Sequence, residues 1–85
     1  MNQQDVILDD FSEANSLAQY PIIAIYKHPA DYPDSYVARI WNLDKPTPYV
    51  VLRDSIEQIR QTVPATMKVL MPYKEDDPII CETWI

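Results

Sequence analysis

The 85-residue sequence contains no glycine, and this absence excludes whole classes of ligand site. Loops that wrap a phosphate group in successive backbone amides depend on glycine, which adopts positive φ freely and lets the backbone approach a ligand closely. The P-loop and the glycine-rich dinucleotide fingerprint are therefore absent. The remaining residues form no recognised catalytic or metal-binding motif, so we predict a protein that is not an enzyme and needs no cofactor.

Cysteine, histidine and long apolar runs are also scarce. The single cysteine, Cys81, cannot form a disulfide within the chain, which agrees with a reducing compartment. No apolar run approaches the ~20 residues needed to cross a bilayer, and residues 1–5 lack the basic region of a signal peptide. We therefore expect a cytoplasmic protein with no membrane partner.

The charge is negative and unevenly spread. The formal net charge is −6, and residues 1–20 contain no lysine or arginine. The acidic residues of this segment are Asp5, Asp9, Asp10 and Glu13. Such a surface repels phosphate backbones, so we expect no direct nucleic-acid binding. One alternative is that the protein imitates nucleic acid and inhibits a nucleic-acid-binding protein by occupying its basic groove.

The N-terminal segment has the pattern of a short helix. Asp10, followed three residues later by Glu13, is an acidic helix-start signal. Four apolar residues with helical spacing would share one face: Phe11, Ala14, Leu17 and Ala18. We predict that residues 1–20 form an acidic segment, either a short helix docked on the rest of the chain or a mobile arm that folds on a partner.

Prolines divide the rest of the chain into short apolar runs rich in β-branched and aromatic residues. These runs predict strands at residues 22–27, 36–43, 49–52, 67–71 and 79–85, with a polar turn at 72–78. Between the third and fourth strands, the pattern predicts a helix that Asp54 caps and Pro64 stops. Its apolar stripe consists of Ile56, Ile59 and Val63.

These elements predict the α+β class. We expect residues 21–85 to form a single domain, in which a small antiparallel sheet of about four to five strands packs on one main helix. The element order is β-β-β-α-β-β, and the N-terminal segment can add a second helix. Over residues 22–63, this succession of strands, turns and an Asp-Ser-capped helix resembles the compact fold of HicB-type antitoxin domains. That resemblance is topological and includes no motif of the family, so it implies no site residue and no activity.

Both faces of the predicted sheet are apolar. In residues 22–27 and again in 36–43, apolar side chains occupy both alternating sets of positions. One short helix covers only one face, so the other needs the N-terminal helix, a second subunit or a partner. A homodimer and cover from within the chain both remain open. The candidate partner surface consists of Phe11, Leu17, Val37, Trp41, Leu43 and Trp84.

Four residues are candidates for a chemical site. His28 could pair with Cys81 as a hydrolytic dyad, but this would need an activated thiolate and an oxyanion hole. Cys81 lies in an apolar run, where a cysteine is usually a small buried hydrophobe. Asp31 and Asp34 could bind a hard cation, but they lack the ligand spacing of a calcium loop and are more simply solvated loop acids.

The sequence therefore favours a small non-enzymatic interaction or regulatory module. We expect it to act through its acidic N-terminal segment and its aromatic, apolar sheet surface, with another protein or a second copy as partner. The alternatives are the nucleic-acid mimic and, less favoured, a small hydrolase or cation site around His28.

Overall fold

The computed structural model describes residues 5–70 and 80–85, and within them it shows a sheet of six strands with two short helices. The elements in chain order are β1 (Val6–Ile7), α1 (Ala14–Leu17), β2 (Pro21–Lys27), β3 (Tyr36–Asn42), β4 (Lys45–Arg53), α2 (Ile56–Arg60), β5 (Val69–Leu70) and β6 (Ile80–Trp84). The α+β class is confirmed. The predicted polar turn at 72–78 lies outside the described residues.

The sheet has the strand order β1-β4-β3-β2-β6-β5. Strands β2, β3 and β4 form an antiparallel meander, and β6 pairs antiparallel with β2. The prediction of an entirely antiparallel sheet of four to five strands was wrong, because β1 adds a parallel edge strand on β4 through Val6 opposite Tyr49. A strand of two residues is too short to leave a periodic pattern in the sequence.

The prediction of packing on one main helix was also wrong, because both helices span only about one turn. Helix α2 begins one residue later than predicted: Ser55, not Asp54, is the cap, and its Oγ accepts a hydrogen bond from the Gln58 N–H at 3.2 Å. Asp10 likewise does not cap α1 but accepts a hydrogen bond from the Ser12 N–H at 3.0 Å. No helix in the described ranges is long and apolar enough to span a membrane.

The core lies between the helices and one face of the sheet. The apolar stripe of α2 packs there as predicted, and so do the four apolar residues of the N-terminal segment. Phe11 is fully buried, and its N–H donates to the Thr62 carbonyl oxygen at 3.1 Å, just after α2. The buried core consists of Phe11, Ala14, Ala18, Ile23, Ile25, Ala38, Ile40, Val51, Ile59 and Val63. Residues 5–20 are thus packed on the body of the protein.

Candidate interaction surface

The register of the sheet determines which side chains lie on the face opposite the helices. In β2 and β3, Ile22 pairs with Trp41, Ala24 with Arg39, and Tyr26 with Val37. These six side chains share the second face because their strand neighbours Ile23, Ile25, Ala38 and Ile40 face the core. This separation into two apolar faces is the one that the alternating sequence predicts.

A polar cluster, here named the Asp5 clasp, covers part of this second face. It consists of Asp5, Tyr32 and Arg39. The Arg39 guanidinium donates to both oxygens of Asp5, with Nη1 3.0 Å from Oδ1 and Nη2 3.1 Å from Oδ2. Tyr32 Oη donates to Oδ2 at 2.9 Å, and Arg39 Nη1 also donates to the Thr47 carbonyl oxygen at 2.8 Å. The clasp therefore ties the N-terminal segment to the loop between β2 and β3.

That loop, residues 28–35, supplies the rest of this cover. The His28 N–H donates to the Ser35 carbonyl oxygen at 3.1 Å and closes the loop, while the Tyr32 N–H donates to the Pro29 carbonyl oxygen at 2.9 Å within it. Pro29 is buried, and together with Val37 and Arg39 it lines a depression beneath the loop. Only 2% of Val37 is exposed, so the protein covers this half of the second face by itself.

The clasp also shifts the protonation equilibria of its members. The hydrogen bonds from the Arg39 guanidinium are the largest influence on Asp5 and hold the pKa of its carboxyl below the ordinary value of 3.8; partial burial opposes them, and the Tyr32 hydroxyl adds to them. The same carboxylate raises the pKa of Tyr32, because the phenol donates its proton to Asp5. Asp5 is therefore fully ionised at neutral pH.

The other half of the second face lies outside the 28–35 loop; in it Ala24 is buried, Trp41 is partly buried and Leu43 is exposed. Its residues, here named the Trp41 strip, are Ile22, Ala24, Tyr26, Trp41, Leu43 and Thr83. With Asp44 they line a shallow depression of about 300 Å³. Trp41 Nε1 donates to Tyr26 Oη at 3.2 Å, which fixes the orientation of the indole. The strip thus presents a positioned aromatic pair beside the exposed side chain of Leu43.

A second depression of about 450 Å³ extends the strip past Ile22 and Leu43, which line both. Its other lining residues are Asn15, Gln19, Tyr20, Pro21, Thr66, Met67 and Ile85. Tyr20 is 53% exposed, Leu43 55% and Ile85 50%. Among the described residues that line the two depressions, Asp44 alone has a charged side chain. Aromatic enrichment with charge depletion is characteristic of the centres of protein interfaces.

Leu43 combines exposure with an unfavourable backbone conformation. It lies with Asp44 in the two-residue hairpin turn between β3 and β4, and its φ is 57°. For a side chain with a Cβ, the left-handed region costs roughly 1–2 kcal/mol, and glycine or asparagine normally occupies such a position. Leucine gains little here from burial, so the backbone strain points to a role for its apolar side chain at the surface.

The strain at Leu43 can be measured with two truncations. Both Leu43→Gly and Leu43→Ala remove the apolar side chain, but only glycine removes the Cβ that disfavours positive φ. We expect Leu43→Gly to be the more stable variant by about 1 kcal/mol in urea unfolding, the reverse of the usual order of these residues in regular structure. An alanine variant of equal or greater stability would show that the turn is unstrained.

The six predicted surface residues lie in different parts of the structure. Trp41 and Leu43 lie in the strip, whereas Val37 lies beneath the 28–35 loop. Phe11 is in the core, and Leu17 packs against that core partly buried. Trp84 lies on the helix side of the sheet, opposite Ile23, where its Nε1 donates to Glu82 Oε1 at 3.1 Å.

The three predicted chemical-site residues whose side chains the structure describes, His28, Asp31 and Asp34, do not form a metal-binding cluster. His28 has a φ of 48°, and its ring meets the Tyr36 ring edge-on with 5.1 Å between centroids. Asp31 and Asp34 are exposed on the 28–35 loop. No group of three or more metal-binding side chains occurs among the described residues. Cys81 lies in β6, and its side chain is outside what the structure describes.

Sequence reasoning missed the Asp5 clasp, although a signal for it exists. Arg39 occupies the middle of an apolar strand, and a partly buried guanidinium requires a counter-ion. The sequence does not specify which of the acidic residues meets it, because Asp5 is 34 residues away along the chain.

The side chains of this surface are mostly apolar and aromatic. The Trp41 strip provides aromatic rings, aliphatic side chains and a hydroxyl at Tyr26. Tryptophan and tyrosine are the residue types that most often dominate binding energy at interfaces. Comparison with protein-family models, with curated proteins and with solved structures finds no match for this chain.

Proposed function

We propose that this protein is a non-enzymatic interaction module that binds a protein partner through the Trp41 strip. The observation that carries the proposal is Leu43, an exposed leucine at a φ of 57° in a tight turn. A residue that destabilises its own turn and gains little from burial is best explained by a contact outside the chain.

The composition of the surroundings supports the same role. The hydrogen bond from Trp41 to Tyr26 holds both rings in place before a partner arrives, which reduces the entropy lost on binding. The strip is nearly free of charge, so a partner does not have to desolvate ion pairs in order to cover it.

The acidic N-terminal segment has a different part in the proposal. Phe11 anchors the segment to the core, and Asp5 is already paired with Arg39. The exposed residues Asp9, Asp10 and Glu13 keep the negative charge that disfavours nucleic acid as the partner. We place the module in the cytoplasm, because a single cysteine suits a reducing compartment.

The proposal is tested by capture from a lysate of the native host, with the full chain immobilised. We expect at least one protein to be retained by the unaltered chain and lost with Leu43→Asn, because asparagine tolerates positive φ but removes the apolar contact. The matched control is Ile7→Thr. Ile7 is 59% exposed, lines neither depression of the strip, and lies in an edge strand that threonine suits.

The control distinguishes binding through the strip from nonspecific adsorption to any exposed apolar side chain. A protein that Ile7→Thr retains and Leu43→Asn loses supports binding through the strip. If every captured protein is retained equally by both variants, the strip is not an interaction surface.

A further inference from the structure

We propose that the Asp5 clasp makes two distant segments of the chain open and close as one unit. The first segment, residues 5–7, is here named the strap, and the second is the 28–35 loop. Opening of this unit uncovers Val37 and the depression of about 300 Å³ beneath the loop, while the core stays folded. The inference does not depend on the proposed function, because neither segment contributes a residue to the Trp41 strip.

The strap has little apolar attachment to the rest of the protein. Its strand, β1, pairs with β4 through Val6 and Ile7, whose side chains are 44% and 59% exposed. The strap ends before Leu8, because the Leu8 N–H donates to the Val50 carbonyl oxygen at 2.7 Å and the Leu8 side chain packs against the core. Segments with few buried contacts open at a lower free energy than the whole chain. The strap therefore depends on the ion pair of Asp5 to stay closed.

The 28–35 loop is also held by few contacts. Pro29 is its one buried residue, and the others are exposed or partly exposed. The hydrogen bonds from the His28 N–H and the Tyr32 N–H join residues of the loop to each other and not to the sheet. The hydrogen bond from Tyr32 Oη to Asp5, at 2.9 Å, instead links the loop to a segment 27 residues away along the chain.

One carboxylate holds both segments. Asp5 Oδ2 accepts a hydrogen bond from Arg39 Nη2 at 3.1 Å and another from Tyr32 Oη at 2.9 Å. When the strap opens, Tyr32 loses its acceptor and Arg39 loses its counter-ion. When the loop opens first, the Asp5 carboxylate loses the hydroxyl donor. Each segment thus stabilises the closed position of the other, and this coupling free energy is the same in both directions.

The test is amide hydrogen exchange of the full chain at neutral pH, followed residue by residue by NMR. The Leu8 N–H reports on the strap, the His28 N–H on the loop, and the N–H of the fully buried Phe11 on the core. In the unaltered chain, Leu8 and His28 should exchange faster than Phe11, because their segments open without the core. Asp5→Asn should speed exchange at both Leu8 and His28 by about 5–30-fold, since both segments lose the charge that holds them.

Glu82→Gln is the matched control, because it neutralises a carboxylate that another arginine, Arg60, holds. This ion pair is intact while the strap and the loop are open, and it breaks only when the core unfolds. Glu82→Gln should therefore speed exchange at Phe11 and leave Leu8 and His28 unchanged. The control separates opening of the two segments from a general loss of stability.

Tyr32→Phe tests the coupling itself. It removes the hydroxyl that joins the loop to Asp5 but keeps the aromatic ring and the ion pair between Asp5 and Arg39. We expect exchange at His28 to become at least about five-fold faster. When Asp5→Asn is then added to Tyr32→Phe, it should still speed exchange at Leu8 but should no longer change His28, because the link between the segments is already broken.

Two results would overturn the proposal. If Leu8 and His28 exchange as slowly as Phe11 in the unaltered chain, the segments open only when the whole protein unfolds. If Asp5→Asn speeds exchange at Leu8 alone, the loop closes independently of the strap. Neither result bears on the Trp41 strip, because partner binding there is measured separately with the Leu43→Asn variant.

Discussion

Phe11→Ala should lower the free energy of unfolding by about 3–5 kcal/mol, the largest effect expected of any single truncation of this chain. Phe11 is the largest fully buried side chain and lies in the core between the sheet and the helices. Alanine would leave a cavity, and it would also loosen the hydrogen bond from the Phe11 N–H to the Thr62 carbonyl oxygen. Because small domains are stable by only about 5–15 kcal/mol, urea unfolding followed by circular dichroism should show a greatly lowered midpoint.

Ile7→Ala is the control for this experiment, because it truncates an aliphatic residue of the same segment. Ile7 is 59% exposed, so its truncation should cost less than about 1 kcal/mol. If Phe11→Ala proved as mild as Ile7→Ala, residues 5–20 would be a docked appendage and not a part of the core.

The parts of the fold that were predicted correctly follow from the local spacing of apolar residues in the sequence. The helical spacing of Phe11, Ala14 and Leu17 correctly predicted that they pack against the same core, although α1 is only four residues long and Phe11 precedes it. The alternation in β2 and β3 likewise identified two apolar faces. In both cases the signal lies within a few residues, where side-chain direction follows directly from backbone geometry.

Contacts between distant parts of the chain account for what the sequence could not specify. The parallel pairing of Val6 with Tyr49 joins residues from opposite halves of the chain. Strand β1 is too short for its sequence pattern to indicate this pairing. Trp84 was assigned to the second face, but its pairing with Ile23 places it on the helix side. The face on which Trp84 lies depends on the register between β2 and β6, and this register shifts between Ile25 and Tyr26. The alternation of apolar and polar residues along one strand does not indicate such a shift.

The absence of glycine has a consequence that only the backbone reveals. Two residues adopt positive φ, His28 at 48° and Leu43 at 57°, among those that the structure describes. Histidine is one of the residues that occur at such positions more often than average, whereas leucine is not. The lack of glycine therefore places measurable strain at one surface position, and that position lies in the Trp41 strip.

The two halves of the second face differ in how the chain itself covers them. The 28–35 loop covers Val37, and the Asp5 clasp holds the loop in place from the N-terminal segment. Near the β3–β4 turn no comparable cover occurs among the described residues, and Leu43 is exposed beside the partly buried Trp41. Of the two kinds of cover that the sequence leaves open, intramolecular cover is therefore present for the half around Val37, and a partner for the other half is our proposal.

Asp5→Asn should lower the free energy of unfolding at neutral pH by about 1–2 kcal/mol, an amount that allows for partial solvent screening of the Asp5 clasp. The substitution keeps the size of the side chain but removes the charge that Arg39 and Tyr32 both contact. Because the pKa of Asp5 in the folded chain lies below its ordinary value of 3.8, the clasp stabilises the fold fully above that value. The stabilisation is lost as the pH falls through the folded-state pKa.

Urea unfolding of both proteins at several values between about pH 7 and pH 2 measures this contribution, because the difference between them should shrink as Asp5 becomes protonated. Glu82→Gln provides a comparison on the opposite face. Arg60 donates hydrogen bonds to Glu82 and lowers the pKa of its carboxyl, so this variant should remove a separate part of the acid dependence. The two contributions should add, because the pairs share no partner. A constant difference between Asp5→Asn and the unaltered chain down to the lowest pH would mean that the charge of Asp5 does not hold the loop over Val37.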